Sequence, residues 1–318
     1  MGEAFAEHVI PGVLRLTLFM SLGILLGYVM EVFGIIRRLA RLARPVISWA
    51  NLPPVCAASF VTALASQKAA GAMLSAAYTN SEITRGTLVL GAVANTFPSA
   101  LMHLRVAAPV LVATLGFAGG AYVVFTVANA AVVLGIVLVA GHFRHAAASG
   151  PLKSSAEPVP REKSLPQYGW QGAWQRWKRL LPRVLLLAVP VYTLAAVLTE
   201  TGVFKAAARG LPRQLAEVLP PEAITVIVVQ MGSTVQAAPV AKSFLDAGTL
   251  GPLTLFFVLV TGYVVSLPGR VLRRSLPATL SVFPGRNGFY VIALSQGARW
   301  LVALTVVLLW WYYRIGVM

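Results

Sequence analysis

Two apolar stretches of the chain are each interrupted by hydroxyl and amide side chains. The first interruption contains Ser66 and Gln67, followed directly by Lys68. The second begins with Gln230, after the apolar run 223–229, and continues through residues 231–239 (MGSTVQAAP). Its candidate contact positions are Gln230, Gly232, Ser233, Thr234 and Gln236. Because hydroxyls and amides both donate and accept hydrogen bonds, such clusters suit the recognition of a small, polar, neutral solute.

Each of these side chains, taken alone, is equally compatible with a hydrogen bond between packed membrane helices. Two clusters at corresponding places in the chain favour a binding site instead. Asn95 and Asn129 lie inside other apolar segments and fit either an interhelix bond or a solute contact, and Asn95 is included among the candidates. Lys68 and Lys242 are interpreted as side chains that reach the membrane interface, and Asp246 is placed to pair with Lys242 on a helix.

The composition indicates a polytopic membrane protein. Of the 318 residues, 58% are hydrophobic and 11% are charged, whereas soluble domains carry about 25% charged residues. The net charge of +16 comes mostly from Lys and Arg between the apolar segments, which is typical of positive-inside topology and argues against nucleic-acid binding. Spanning helices are predicted at 9–33, 86–102, 119–140, 180–198, 253–267 and 289–312.

The second half of the chain repeats the first. The tripeptide LPP occurs at 52–54 and again at 219–221, and the same offset places Ser66 on Ser233. Further along, Pro98 corresponds to Pro268. The predicted domains are therefore a first membrane repeat (1–141), a basic linker with an interfacial Trp patch (142–179) and a second membrane repeat (180–318).

The predicted fold is an all-α polytopic membrane protein with two inverted repeats. Each repeat has about three spanning helices plus a broken or re-entrant hairpin, and an odd number of spans requires opposite orientations. Charge agrees, since regions 35–45, 142–179 and 270–274 carry 14 Lys and Arg against five on the other side. We therefore expect integration in the inner (plasma) membrane of a bacterium, with the N-terminus outside and the 142–179 loop cytoplasmic.

This layout resembles the nucleoside-recognition (Gate) domain family. The likeness rests on the LPP start of each broken segment, on the later Pro-containing span, and on residues 232–239 (GSTVQAAP). That family includes the membrane part of ferrous-iron transporter B proteins and the spore maturation A and B proteins, and is remotely similar to concentrative nucleoside transporters. The resemblance implies a membrane permease fold.

The expected function is secondary transport of a small polar solute, nucleoside-like or other, at a central site formed by the two hairpins. The alternative is a non-transporting membrane gate or scaffold subunit that acts with a partner protein. No enzyme activity, cofactor or metal is expected, because no catalytic constellation, Cys/His cluster or nucleotide-binding motif is present. The expected partners are the lipid bilayer and the solute, with self-association left open and nucleic acid excluded.

Overall fold

The computed structural model describes residues 50–64, 66–145, 220–283 and 285–316, together with single residues in helical turns elsewhere. The described residues form helices joined by short turns, and none of them lies in a β-strand. The all-α class is therefore confirmed for this part of the chain. The predicted spans at 9–33 and 180–198 and nearly all of the linker 142–179 lie outside the described residues.

Four of the described helical segments are long and apolar enough to cross a membrane. They are Arg85–Leu104, Phe117–Phe143, Pro252–Leu280 and Arg286–Arg314. They coincide with four of the six predicted spans, which confirms the membrane class. Apolar side chains remain exposed along Phe117–Phe143 and Arg286–Arg314. Only 28% of the apolar stretch of each helix is buried, as expected of faces that contact lipid.

In each half of the chain a helical hairpin precedes two of these long segments. The first hairpin consists of α1 (Pro54–Thr62) and α2 (Gln67–Thr79). Proline begins α1 because its missing N–H has no partner to lose at the first helical position. The second hairpin, α6 (Pro221–Gly232) and α7 (Thr234–Asp246), begins in the same way. The starts of all four helices and the ends of α2 and α7 match at an offset of 167 residues.

The helix breaks differ from those that the sequence predicts. The sequence predicts non-helical backbone at 66–68 and 233–236, but within these stretches only Ser66 and Ser233 lie outside the helices, with extended backbones (φ −151° and −164°). The residues that follow each serine form the first turn of α2 or α7. One residue separates the two helices of the second hairpin, whereas residues 63–66 lie between the helices of the first.

Two details of the second break differ from what the sequence predicts, which is a tight reversal that needs Gly232 and a first helical turn that contains Pro239. Gly232 is the last residue of α6 and has no positive φ, so the tight reversal does not depend on a glycine conformation. Pro239 lies inside α7 rather than in its first turn. Both differences follow from the position of the break at Ser233.

The remaining described helices follow each hairpin in the chain. In the first half, α3 (Arg85–Ala94), α4 (Thr96–Leu115) and α5 (Phe117–His145) follow one another with single-residue joints. In the second half, α8 (Pro252–Arg270) continues through a π-helical turn (Val271–Ser275) into α9 (Leu276–Leu280), and α10 (Arg286–Gly316) ends the described chain. Helix α5 therefore extends four residues into the predicted linker.

Two hydrophobic cores lie at different levels of α5 and α10. The first hairpin packs against Val133–Leu138 of α5 and against Val291, near the start of α10. The second hairpin packs against Ala118–Phe125 of α5 and against Ala303 and Val307 of α10. At 1.5 Å of rise per residue, the two levels on α5 are about 20 Å apart. Helices α5 and α10 thus run antiparallel and hold one hairpin toward each end.

Candidate functional site

A single cavity touches both hairpin breaks. Its volume is about 590 Å³, and residues from both halves of the chain line it. Gln67, directly after the first break, contributes to the lining, as do Ser233 at the second break and Thr234 directly after it. The level of the cavity on α5 is marked by Tyr122 and Thr126. The cavity therefore lies between the tips of the two hairpins.

The two serines at the breaks differ in their hydrogen bonds. The Ser66 hydroxyl accepts a bond of 3.2 Å from the backbone N–H of Ala69 and so caps α2. The Ser233 side chain makes no capping bond to α7. The first N–H groups of a helix have no intrahelical acceptor, so the start of α7 presents unsatisfied donors beside the cavity.

The structure brings together five of the eight predicted contact residues. Those that line the cavity are Gln67, Asn95, Gly232, Ser233 and Thr234. Ser66, Gln230 and Gln236 do not line it. Ser66 serves as the helix cap described above, and Gln236 lies in the first turn of α7 near Gly232.

Gln230 holds the second hairpin to its neighbours. Its side chain is fully buried, and its amide nitrogen donates to the Leu259 carbonyl at 2.9 Å and to the Tyr122 hydroxyl at 3.4 Å. It lies against Gly262, where a β-carbon would overlap with the Gln230 amide. Interhelix hydrogen bonding therefore explains Gln230 in this structure.

Asn95 lies outside the first hairpin and holds it through hydrogen bonds. Its amide nitrogen donates to the Ser59 hydroxyl at 2.6 Å, and that hydroxyl donates to the Ala70 carbonyl at 3.0 Å. This chain of bonds joins α1, α2 and the joint between α3 and α4. Asn95 is both an interhelix contact and part of the cavity wall.

The other asparagine considered from the sequence joins the two long helices. The amide nitrogen of Asn129 donates to the Arg299 carbonyl at 3.0 Å. It does not line the cavity, so its contact is the interhelix bond. This bond lies between the two cores and fixes the part of α10 that carries Arg299.

Basic side chains dominate the charge of the cavity. Lys68, Arg270, Arg274 and Arg299 line it, together with His103, and no Asp or Glu of the described residues does. Lys68 was expected at the membrane interface; it is exposed but lies at the cavity wall. The expected Lys242–Asp246 pair forms on α7, away from the cavity lining.

Several buried polar atoms of the lining have no hydrogen-bond partner. They are Nε and Nη2 of Arg270, Nε of Arg299, Oδ1 of Asn95 and Oγ of Ser99. Leaving a buried donor unsatisfied costs about 1–3 kcal/mol, and more for a charged group. The guanidinium of Arg270 instead lies 5.2 Å from the centre of the Tyr263 ring, a cation–π contact. The lining thus holds four unpartnered groups that can donate, together with one unpartnered acceptor, the Asn95 amide oxygen.

The π-helical turn Val271–Ser275 places arginines at the cavity. Arg270 directly precedes the turn and Arg274 lies within it, and both line the cavity. Arg273, in the same turn, is exposed and donates to the Gly269 carbonyl of its own helix at 3.2 Å. Single π-helical turns are frequent at functional sites. From the sequence these three arginines are interpreted only as charges that set the topology, and Arg299 is not among the predicted contact residues.

Comparison with known proteins gives relatives of the whole chain rather than of one segment. The chain is 21% identical over 308 residues to uncharacterized protein MJ0880 of Methanocaldococcus jannaschii, which covers 95% of this chain and 98% of that protein. It is 22% identical over 295 residues to uncharacterized protein MJ1556 of the same organism, with 90% and 91% covered. Alignments of this length include both hairpins.

No family model matches the chain, and no solved structure matches it significantly. We therefore infer the function from the cavity itself.

Proposed function

We propose that the protein is a secondary transporter of the Gate type, a permease for a small polar solute. In this proposal the chain contains two inverted repeats, and each hairpin is re-entrant, entering the membrane from one face and ending near its middle. The solute binds between the two hairpin tips. Access alternates between the two faces as one hairpin bundle moves against the other.

The observation that carries the proposal is that one cavity reaches both helix breaks. Irregular backbone at membrane depth is tolerated where it lines a cavity or is buried in protein. A gate or scaffold subunit would need no open volume there and would have both breaks sealed by packing. Gln67, the first residue after the first break, lines about 590 Å³ of open space instead, together with Ser233 at the second break and Thr234 directly after it.

Support for the inverted arrangement comes from the long helices. The two hairpin cores lie about 20 Å apart along α5, one toward each end, with the Asn129–Arg299 bond between them. Hairpins that approach from opposite ends bring their tips to the same level. This is the geometry in which a central site can be opened to either face in turn.

The test is access to Ser233 from both faces of the membrane. Ser233→Cys is made in a Cys56→Ala background, since Cys56 is the single cysteine and is buried. The protein is oriented in proteoliposomes and exposed to a membrane-impermeant maleimide from one face at a time. We expect labelling from both faces, because the cavity opens alternately.

The matched control is Asn80→Cys, on the exposed turn after α2. It should react from one face only. Labelling of Ser233→Cys from a single face, under conditions where the control reports an oriented preparation, would argue for a static gate rather than a transporter.

A further inference from the structure

We propose that the cavity recognises an oxyanion group, carried by a small organic solute with a phosphate or carboxylate. This proposal rests on the proposed function, because it assumes that the cavity between the hairpin tips is the site where the solute binds. It replaces the uncharged solute expected from the hydroxyl and amide clusters with an anionic one.

The first argument is the charge of the lining. Lys68, Arg270, Arg274 and Arg299 all border the cavity. The acidic residues of the described ranges, Glu82, Glu222 and Asp246, do not. A neutral solute would leave this positive charge uncompensated in a low-dielectric surrounding, and a cationic solute would be repelled. An anion compensates it.

The second argument is the presence of unused hydrogen-bond donors. Nε and Nη2 of Arg270 and Nε of Arg299 are buried without an acceptor. A guanidinium offers its N–H groups in a planar fork that matches the two oxygens of a carboxylate or phosphate. Ser99, only 7% exposed, also lines the cavity with its hydroxyl unpartnered.

The third argument is the direction of the helix ends. Gln67 and Thr234, the first residues of α2 and α7, both line the cavity. The amino end of a helix carries partial positive charge and free N–H groups, and so favours anions. The absence of a side-chain cap from Ser233 leaves the α7 end available to a bound oxygen.

The size of the cavity indicates that the solute is larger than the oxyanion alone. A volume of about 590 Å³ lies within the range of pockets that hold organic ligands. The rings of Tyr122, Tyr263 and Phe283 form part of its wall. The oxyanion group would lie at Arg270 and Arg299, with the rest of the solute against these rings.

The test measures binding to the purified full chain at constant ionic strength, by thermal shift and by titration calorimetry. The probes are inorganic phosphate, AMP and citrate, with adenosine as the uncharged comparison. Binding to the folded state alone raises the melting temperature. We expect the anions to bind and adenosine to bind more weakly than AMP. Arg270→Gln and Arg299→Gln should each weaken anion binding by roughly 10- to 100-fold.

The matched control is Arg273→Gln, which removes the same charge from the π-helical turn that directly follows Arg270, but outside the cavity. It should bind the anions as the unmodified protein does. Arg270→Lys keeps the charge without the planar fork and should fall between the two, which preserves the test if Arg270→Gln fails to fold. Equal loss in Arg273→Gln and Arg270→Gln, or preference for adenosine over AMP, would overturn the proposal.

An anionic phospholipid headgroup could supply the same chemistry, so the measurement is repeated in nanodiscs with and without phosphatidylglycerol. Competition by this lipid would keep the oxyanion site but overturn the soluble source. The two proposals fail separately. Anion binding without two-sided labelling of Ser233→Cys removes the transporter and keeps the oxyanion site, whereas two-sided labelling without anion binding does the reverse.

Discussion

Single amide side chains hold each hairpin in place, and the two halves use them in complementary ways. In the first half the amide belongs to Asn95, on the helix that follows the hairpin, and it bonds to Ser59 within the hairpin. In the second half the amide belongs to Gln230 in the hairpin, and Gly262 of the following helix α8 lies against it. The missing side chain at Gly262 provides the space that Gln230 fills.

This complementarity predicts that Gly262→Ala destabilises the protein. The new β-carbon would overlap with the Gln230 amide, and overpacking of this kind costs about 1–3 kcal/mol. Thermal unfolding should show a lower melting temperature. Gly135→Ala is the control, because a β-carbon there meets nothing within 4 Å and alanine favours a helix. In a Gln230→Ala background the destabilisation by Gly262→Ala should be smaller. An unchanged destabilisation would show that it does not arise from contact with Gln230.

At this scale the sequence reveals residue types better than their roles. The Ser, Thr and Gln clusters identify the breaks correctly, because such residues are conspicuous in apolar segments. Whether an amide such as Gln230 faces a cavity or a neighbouring helix depends on the packing of helices distant in the chain. The arginines were overlooked because a basic stretch after a span, such as residues 270–274, has the ordinary explanation of positive-inside topology.

The helix breaks are the elements that form the site, and their two serines have separate tasks. Ser66 caps α2, whereas Ser233 leaves the start of α7 open to the cavity. The two breaks therefore share an extended backbone but differ in what the serine hydroxyl does.

The difference predicts unequal effects of the same substitution. Ser66→Ala should lower the stability by about 0.5–2 kcal/mol through loss of the cap. Ser233→Ala should change the stability by only a small fraction of that amount, because Ser233 makes no capping bond. It should instead weaken anion binding, since Ser233 lines the cavity. Chemical or thermal unfolding of the two variants checks the first part, and calorimetry with inorganic phosphate checks the second. Equal destabilisation would mean that Ser233 is also a structural residue.

The order of the elements could be predicted from the sequence, and their bounds only in part. Pro54 and Pro221 mark the hairpin starts because proline is favoured in the first turn of a helix. The end of the spanning segment that begins with α8 could not be predicted. The apolar run stops near Leu267, whereas the helical segment continues through the π-helical turn and α9 to Leu280. That continuation is what brings Arg274 to the cavity.

At the scale of the whole molecule, we propose that the two hairpins approach from opposite faces of the membrane and that one cavity lies between their tips. The antiparallel pair of α5 and α10 carries one hairpin core toward each end. A duplicated unit with an odd number of spans would place its two copies in opposite orientations. The bases of the hairpins, after α2 and after α7, should then lie on opposite sides of the membrane.

The most direct measurement compares Asn80→Cys with Ala247→Cys, each in the Cys56→Ala background. These exposed residues directly follow α2 and α7 and are 167 positions apart, so they are equivalent sites in the two halves. Impermeant maleimide is applied to oriented proteoliposomes, first from one face and then, after opening the vesicles with detergent, from both. We expect each cysteine to be labelled from one face only, and the two faces to be opposite. Labelling of both cysteines from the same face would contradict the opposite orientation of the two hairpins.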